Sequence, residues 1–325
     1  NLGFPKGNNI AVKEAKGEYI CILNPDTVVA EDTFEKILNS QLVTPNPEFG
    51  ILGCKLIDGT GNFLPESKRG VPKPWVAFTK IFGLYKFFPN STLFNQYYAQ
   101  HLNENQSGEV DILVGAFMVM KRELYLELGG FDEDCFMYAD DIDLSYRALL
   151  HGKKNYYFAE TTVIHYKGES TVKDGTYMRR FQEAMQFFYQ KHYQGSFFFS
   201  MFMRIGIVFF ALVKMFQGKV SPKPVPEQYL LVSDTEALRE KLTAVLQKSV
   251  ERTTMENGKI VISQTISKIK PTEVILDVDY LGFKKAMSFL KENKNKTFTF
   301  KLLPPSSNFI IGSNSSNDRG EVIQI

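Results

Sequence analysis

The sequence predicts an α/β protein, and three observations carry that prediction. Residues 7–15, 18–23, 31–42 and 50–57 read as helix, strand, helix and strand in turn, the order of helices layered on a sheet with parallel pairs. The strand-like runs, such as EYICIL and GILGCKLI, are short, apolar and β-rich, which fits buried strands. From residue 228 the alternation restarts, with strands in YLLVS, EVILDV, TFTFKLL and NFIIG and helices in TEALREKLTAVLQ and DYLGFKKAMSFLKE.

At 325 residues the chain has room for one large domain and a smaller one. Hydrophobic residues at 44% and charged residues at 23% place it among globular proteins rather than disordered ones. A net charge of +2 is too small to make nucleic acid a main partner. Cys21, Cys54 and Cys135 stand far apart with no CxxC, which predicts reduced thiols and no structural zinc. The opening NLGFPKGNN, without Met, reads as a loop entering a helix, so the chain is expected to begin partway through a fold.

Taken in order, the helix at 7–15 leads into the strand at 18–23, which ends in Asn24-Pro25-Asp26 before Thr-Val-Val resumes. Pro25 cannot donate to a ladder, and an unpaired Asp26 is costly to bury. On its own the break reads as a turn. Residues 58–109 are irregular but hold Trp75, Phe78, Phe82, Tyr85, Phe87, Phe88, Phe94, Tyr97 and Tyr98. Those aromatics are expected as core for short helices; a ligand wall or membrane-facing surface is the alternative. Residues 111–121 predict a long strand interrupted at Gly115, where glycine permits close backbone approach. A helix is expected over 140–150, one or two strands over 156–165, and helix from 174 onward.

Two further polar clusters carry possible chemistry. In FMYADDIDLSYR, Asp143 and Arg147 suit an i, i+4 pair. Asp140 and Asp141 could serve the helix dipole, but two adjacent carboxylates repel and one suffices; a carboxylate here could take a proton from a hydroxyl. In TTVIHYKGEST, His165 closes a β-branched run. A single histidine is more often structural, yet Asp26 and His165 together could hold a divalent cation completed by phosphate oxygens.

The segments NLGFPKGNN, AKGEYICILNPDT, VGAFMVMKRELYLELGGFDE, FMYADDIDLSYR and VIHYKGEST resemble, in order and approximate spacing, motifs of family-2 glycosyltransferases, closest to the bacterial rhamnosyltransferase-like branch. The resemblance covers roughly residues 1–175. It implies a GT-A fold, a Rossmann-like nucleotide-sugar domain whose first strands would lie upstream of Asn1. It also implies that Asp26 holds the metal in a DxD-like position, with Asn24 offering only a neutral amide there, and that His165 is a second ligand. By the same resemblance Asp141 is catalytic base, Asp140 faces the acceptor, and Gly115, Phe4 and Asn9 belong to the donor side. The break at residues 24–26 then falls at the carboxyl end of a strand, where open α/β sheets place ligands.

The implied reaction is inverting transfer of a rhamnose-like or other hexose from a nucleotide-diphosphate donor to a glycan or lipid-linked acceptor. Mg²⁺ or Mn²⁺ would be the cofactor. A sugar nucleotidyltransferase and a non-catalytic membrane-binding fragment are the alternatives. The expected division is 1–195, a partial GT-A domain; 196–227, a hydrophobic basic helix and Pro-rich linker; and 228–325, a small α/β domain. No Asp or Glu occurs from residue 184 to 226, and FFFSMFMRIGIVFFALVKMF (197–216) carries Arg204 and Lys214. A membrane-interface helix on anionic headgroups is favoured there over a span or a core helix. The expected location is cytoplasmic, on the inner face of the cytoplasmic membrane.

Overall fold

In the computed structural model, which describes residues 2–88, 91–135, 138–167, 175–193, 225–260, 270–294, 297–314 and 320–325, short apolar runs become strands and the helices cover them. The first unit comprises α1 (Phe4–Glu14), β1 (Tyr19–Leu23), β2 (Thr27–Val29), α2 (Thr33–Leu38), β3 (Phe49–Ile57), α3 (Pro74–Ile81), α4 (Leu84–Phe87), β4 (Gly108–Val110), β5 (Phe117–Lys121), α5 (Arg122–Glu127), α6 (Asp140–Leu150), β6 (Lys154–His165) and α7 (Gly175–His192). The helix expected over 31–42 is shorter. Ser40 ends it, because its Oγ accepts from Leu42 N–H at 3.2 Å and its carbonyl from Val43 and Thr44, a local alternative to helical bonding.

Among the described residues the first sheet has the order β1-β5-β3-β6-β2, with β4 pairing the other end of β6. β3 runs parallel to β6, while β5 is antiparallel to both β1 and β3. The sheet is therefore mixed rather than built of adjacent parallel pairs. The strand expected over 111–121 is also shortened to β5. Ahead of it, Ile112 exchanges both backbone bonds with Arg69 at 2.9 Å, and Gly115 N–H turns to the Asp141 carboxylate. The chain thus re-enters from the edge where β1 and β3 end, and can only run antiparallel.

All nine residues of β3 are buried, the pattern of a strand covered on both faces. In β5 the two-residue period sorts side chains. Met118 and Met120 join Val12 of α1 and Leu144 of α6, whereas Phe117 and Val119 join Ile37 of α2.

The second unit contains β7 (Gln228–Val232), α8 (Glu236–Leu246), β8 (Val250–Thr253), the hairpin β9 (Met255–Glu256) and β10 (Lys259–Ile260), β11 (Thr272–Asp277), α9 (Val278–Leu281), α10 (Phe283–Glu292), β12 (Phe298–Leu303), β13 (Phe309–Gly312) and β14 (Glu321–Gln324). The order is β14-β13-β12-β11-β7-β8, with β12, β11, β7 and β8 parallel. The single helix expected over 279–292 is split at Gly282, whose φ of 74° is open to glycine.

The two units share one apolar core. Ala30, Ile57, Ile164 and Tyr166 from the first cluster with Leu230, Val274, Met287, Leu290 and Phe300 from the second. A polar latch borders it: Glu31 accepts from the N–H groups of Phe283 and Lys284 at the start of α10, and Lys291 donates to Thr162 Oγ1 at 3.2 Å. A carboxylate suits a helix N-terminus. The membrane-interface helix expected at 197–216 lies outside the described residues. Among the described residues no helix is long and apolar enough to cross a membrane.

Ile164 has no exposed surface and sits in this shared cluster. Ile164→Ala is expected to lower unfolding free energy by about 2–5 kcal/mol while both units still melt together. Urea titration followed by circular dichroism checks this; an early transition with an unaltered midpoint would refute a common core.

Candidate active site

The register brings the ends of β1, β3 and β6 and the start of β5 to one edge of the first sheet. Leu23 pairs with Phe117, Ile57 with Ile164, and Thr27 with His165. Beyond β1 the Asn24 N–H donates to Ala116 O at 3.1 Å, and Thr27 Oγ1 donates to Asn24 O at 2.7 Å. The break is thus a closed turn at the mouth of the sheet, and the Asn24 amide group takes no part in closing it.

That turn aims Asp26 at His165. Tyr166 N–H donates to Asp26 O at 2.9 Å, and Asp26 Oδ1 stands 3.3 Å from His165 Nε2. His165 is buried and its Nδ1 has no hydrogen-bond partner, an arrangement that calls for an explanation. Two ligands on adjacent positions of a six-coordinate Mg²⁺, with bonds of about 2.1 Å, lie about 3 Å apart. The observed spacing fits that geometry. Among the described residues no group of three or more His, Cys, Asp or Glu could hold a metal ion.

The other centre is the start of α6. The Asp141 side chain is nearly enclosed, and its Oδ2 accepts from Arg69 Nη2 at 2.7 Å and from Gly115 N–H at 2.9 Å. Arg69 Nη2 also donates to Leu113 O at 2.7 Å. Asp141 Oδ1 is buried and accepts nothing, so one oxygen of the carboxylate is fixed and the other keeps an unfilled acceptor capacity. A Cβ on Gly115 would lie 3.3 Å from Asp141 Cβ, which accounts for glycine at this close approach. Half-buried Asp140 accepts from Asp141 N–H at 3.0 Å. Burial, with the neighbouring Asp141 carboxylate, pushes its carboxyl up to about 7.

Asp143 is fully buried and meets Arg147 Nε at 2.7 Å, His192 Nε2 at 2.7 Å and Lys191 Nζ at 2.9 Å. Burial works upward on its carboxyl, but Arg147, His192 and Lys191 outweigh it and hold it below the usual range. Arg147 is shared: its Nη2 donates to Gly130 O at 2.6 Å. Two left-handed, non-glycine residues frame the edge, Tyr138 (φ 67°) and Lys167 (φ 53°), each two positions from Asp140 or His165. Such strain clusters at functional sites.

Phe4 and Asn9 occupy a different place from the other expected site residues. Asn9 Oδ1 accepts from Tyr125 OH at 2.6 Å and from Phe131 N–H at 2.9 Å, while Nδ2 donates to Phe131 O at 2.9 Å and Glu133 Oε1 at 3.1 Å. All its hydrogen-bonding capacity is committed to α5 and the GGFDE turn, and a Cβ on Gly130 would meet Asn9 Oδ1 at 2.3 Å. Phe4 packs its ring 5.4 Å from that of Phe131. Arg69 escaped the sequence reading, since its partner lies 72 residues away. The available signal was its place in a run without acidic residues from 67 to 103. Surface hollows of about 710, 400 and 280 Å³ lie elsewhere, around Lys36, Asn95 and Lys291 respectively. None of these three includes Asp26, Asp140, Asp141 or His165.

A model of the family described as Glycosyltransferase like family 2 matches residues 2–185. The chain is similar to the N-acetylglucosaminyl-diphospho-decaprenol L-rhamnosyltransferase of Mycobacterium tuberculosis, 26% identical over 157 residues that make up 48% of this chain and 50% of that protein. It is similar to Rhamnosyltransferase WbbL of Escherichia coli, 29% identical over 177 residues, or 50% of this chain and 61% of that one. It is also similar to the O-antigen biosynthesis protein RfbC of Myxococcus xanthus, 28% identical over 53% of this chain and 13% of that protein. The chain spans about half the length of the first of these relatives. The crystal structure of GalNAc-T7 with UDP, GalNAc and Mn²⁺ gives a TM-score of 0.37 at 16% identity, over 59% of this chain and 38% of that one, a likeness too slight to bear on fold or function.

The raised Asp140 carboxyl has a consequence for stability. The folded state keeps its proton to about pH 7, whereas the unfolded chain releases it near the ordinary aspartate value of 3.8. Asp140 therefore lowers stability progressively between about pH 4 and about pH 7, with no further loss above. Relative to wild type, Asp140→Asn should gain stability across that window and hold the gain at higher pH. Urea melts over pH 4–8 check it, and a pH-independent difference would contradict it.

Proposed function

The chain belongs to glycosyltransferase family 2 and carries its α/β GT-A domain, and from that premise we propose that it moves a sugar from a nucleotide-diphosphate donor to an acceptor hydroxyl. The observation that carries the reading is the Asp141 carboxylate, with Oδ2 fixed by Arg69 and Gly115 and Oδ1 unfilled. A hydroxyl proton fills that capacity. As the acceptor oxygen bonds to the anomeric carbon, its proton passes to Asp141 and the bond from that carbon to the diphosphate breaks. A single displacement of this kind inverts the anomeric centre. Positioning contributes much of the rate, and Arg69 and Gly115 hold the base in one orientation throughout. Asp140, protonated up to about pH 7, can donate to an acceptor oxygen beside it.

Asp26 and His165 would hold Mg²⁺ or Mn²⁺ at the end of β1, supported by the 3.3 Å spacing of Oδ1 and Nε2. When bound, such a cation neutralises charge on a departing diphosphate. Asn24 stands beside them with its amide available to the donor. Two relatives are named rhamnosyltransferases and a third an O-antigen biosynthesis protein, which supports a rhamnose-like or other hexose donor and a glycan or lipid-linked acceptor in surface polysaccharide assembly. A lipid-linked acceptor would put the work at the inner face of the cytoplasmic membrane.

Two outcomes test the reading. Asp141→Asn keeps the size and hydrogen bonds of the side chain but removes its basicity, so turnover should fall by about 10²-fold or more with donor affinity nearly intact. Turnover at the wild-type level would reject Asp141 as base. Asp26→Ala should abolish the dependence of nucleoside-diphosphate binding on divalent cation, read by calorimetry with and without chelator. Cation-dependent binding that survives in this variant would remove Asp26 from the metal site.

A further inference from the structure

We propose that residues 73–88 and 91–94 form a docking face for a lipid bilayer with anionic headgroups, separate from the sugar-transfer site. The face is built by α3, α4 and the turn at residues 91–94. Trp75 is 43% exposed, Phe87 76%, Phe88 51% and Leu93 52%. Scattered exposed apolar residues are ordinary, but contiguous ones mark interaction sites. Here the rings touch: Trp75 lies 5.4 Å from Phe78 and 5.8 Å from Phe94, Phe88 lies 5.1 Å from Phe94, and Phe78 lies 4.6 Å from Phe82. Trp75 Nε1 donates to Leu93 O at 2.9 Å, which ties the turn to α3 and makes the patch one surface.

Charge selects the occupant. Between residues 67 and 103 there is no Asp or Glu, against five cations at Lys68, Arg69, Lys73, Lys80 and Lys86. Lys68 and Arg69 turn inward to Ala99 O and Asp141, whereas Lys73, at the start of α3, and Lys86, its Nζ 5.8 Å from the Tyr85 ring, are exposed. The chain as a whole is close to neutral at +2, so this one-signed run is local. Exposed Trp and Phe beside Lys, without acidic residues, suit the boundary between acyl chains and anionic headgroups. With 8 and 4 residues, α3 and α4 are far too short to span a bilayer and would lie in its surface.

The face is rooted at the site. The loop leaves the sheet at Arg69, and Gly70 N–H donates to Tyr97 O at 3.1 Å where it returns; Lys80 Nζ reaches the Tyr97 hydroxyl from α3. One loop thus holds the catalytic-edge arginine at its base and the aromatic face at its tip. This surface is inferred from the loop's own residues and stands whether or not the acceptor is lipid-linked.

Trp75 is the single tryptophan of the chain and reports directly on this face. With vesicles of phosphatidylcholine and phosphatidylglycerol, its emission should shift to the blue and be quenched by bromine-labelled acyl chains, and salt should weaken both effects. Lys73→Glu/Lys86→Glu should lower partitioning at least about tenfold, and Phe87→Ser/Phe88→Ser should remove the quenching, with nucleoside-diphosphate binding unchanged in both. Flotation with vesicles but without any Trp75 response would place membrane contact elsewhere, residues 197–216 included, and overturn the proposal. So would equal binding to neutral vesicles that ignores the lysine reversals. Absence of vesicle binding, with or without self-association through the patch, would overturn it as well.

Discussion

The ion pair between Arg69 and Asp141 joins three parts of the molecule that would otherwise be independent. Arg69 sits at the base of the long excursion after β3, Gly115 at the entry to β5, and Asp141 at the start of α6. Each contributes to one cluster of bonds between 2.7 and 2.9 Å. Both side chains are 10% exposed. Removing one partner of such a buried pair typically costs about 3–5 kcal/mol, because the other is left charged and enclosed. The pair therefore fixes where β5 enters the sheet, and with it the antiparallel strand that separates β1 from β3.

Three carboxylates within four residues of α6 have three different surroundings. Asp143 is saturated by Arg147, Lys191 and His192 and ties α7 and the glycine turn to the helix. Asp141 is half-satisfied, and Asp140 has its neighbour's N–H and little compensating charge. Groups of one chemical type thus acquire a clamp, a candidate base and a near-neutral acid from their environments alone, which is how one fold separates acid and base roles.

The sequence was readable where local signals decide the outcome. The buried runs at β1, β3, β11 and β12 and the charged start of α6 announced themselves through length, composition and spacing, and the polar turn after β1 lies where a ligand edge was expected. It was not readable where distant partners decide. Residues 111–116 carry a strand-like composition, yet Arg69 claims Ile112 and Asp141 claims Gly115, so the ladder starts later. The four side-chain bonds of Asn9 were hidden for the same reason, since they run to residues more than a hundred positions away. Gly282 was visible in the sequence; that it would take a left-handed backbone and divide a helix was not.

The apolar cluster shared by the two sheets bears on how this chain can be cut or recombined. A truncation ahead of β7 would leave Ile57, Ile164 and Tyr166 facing water, and two of them flank His165. Boundaries chosen from strand count alone would therefore yield a sticky fragment with a loosened edge at the very histidine that faces Asp26. Conversely, a chimera that takes its second unit from a relative must import an α10 whose apolar face matches Ile57 and Ile164, together with a helix start that Glu31 can cap. The portable piece of this molecule is both units with their seam, not either sheet by itself.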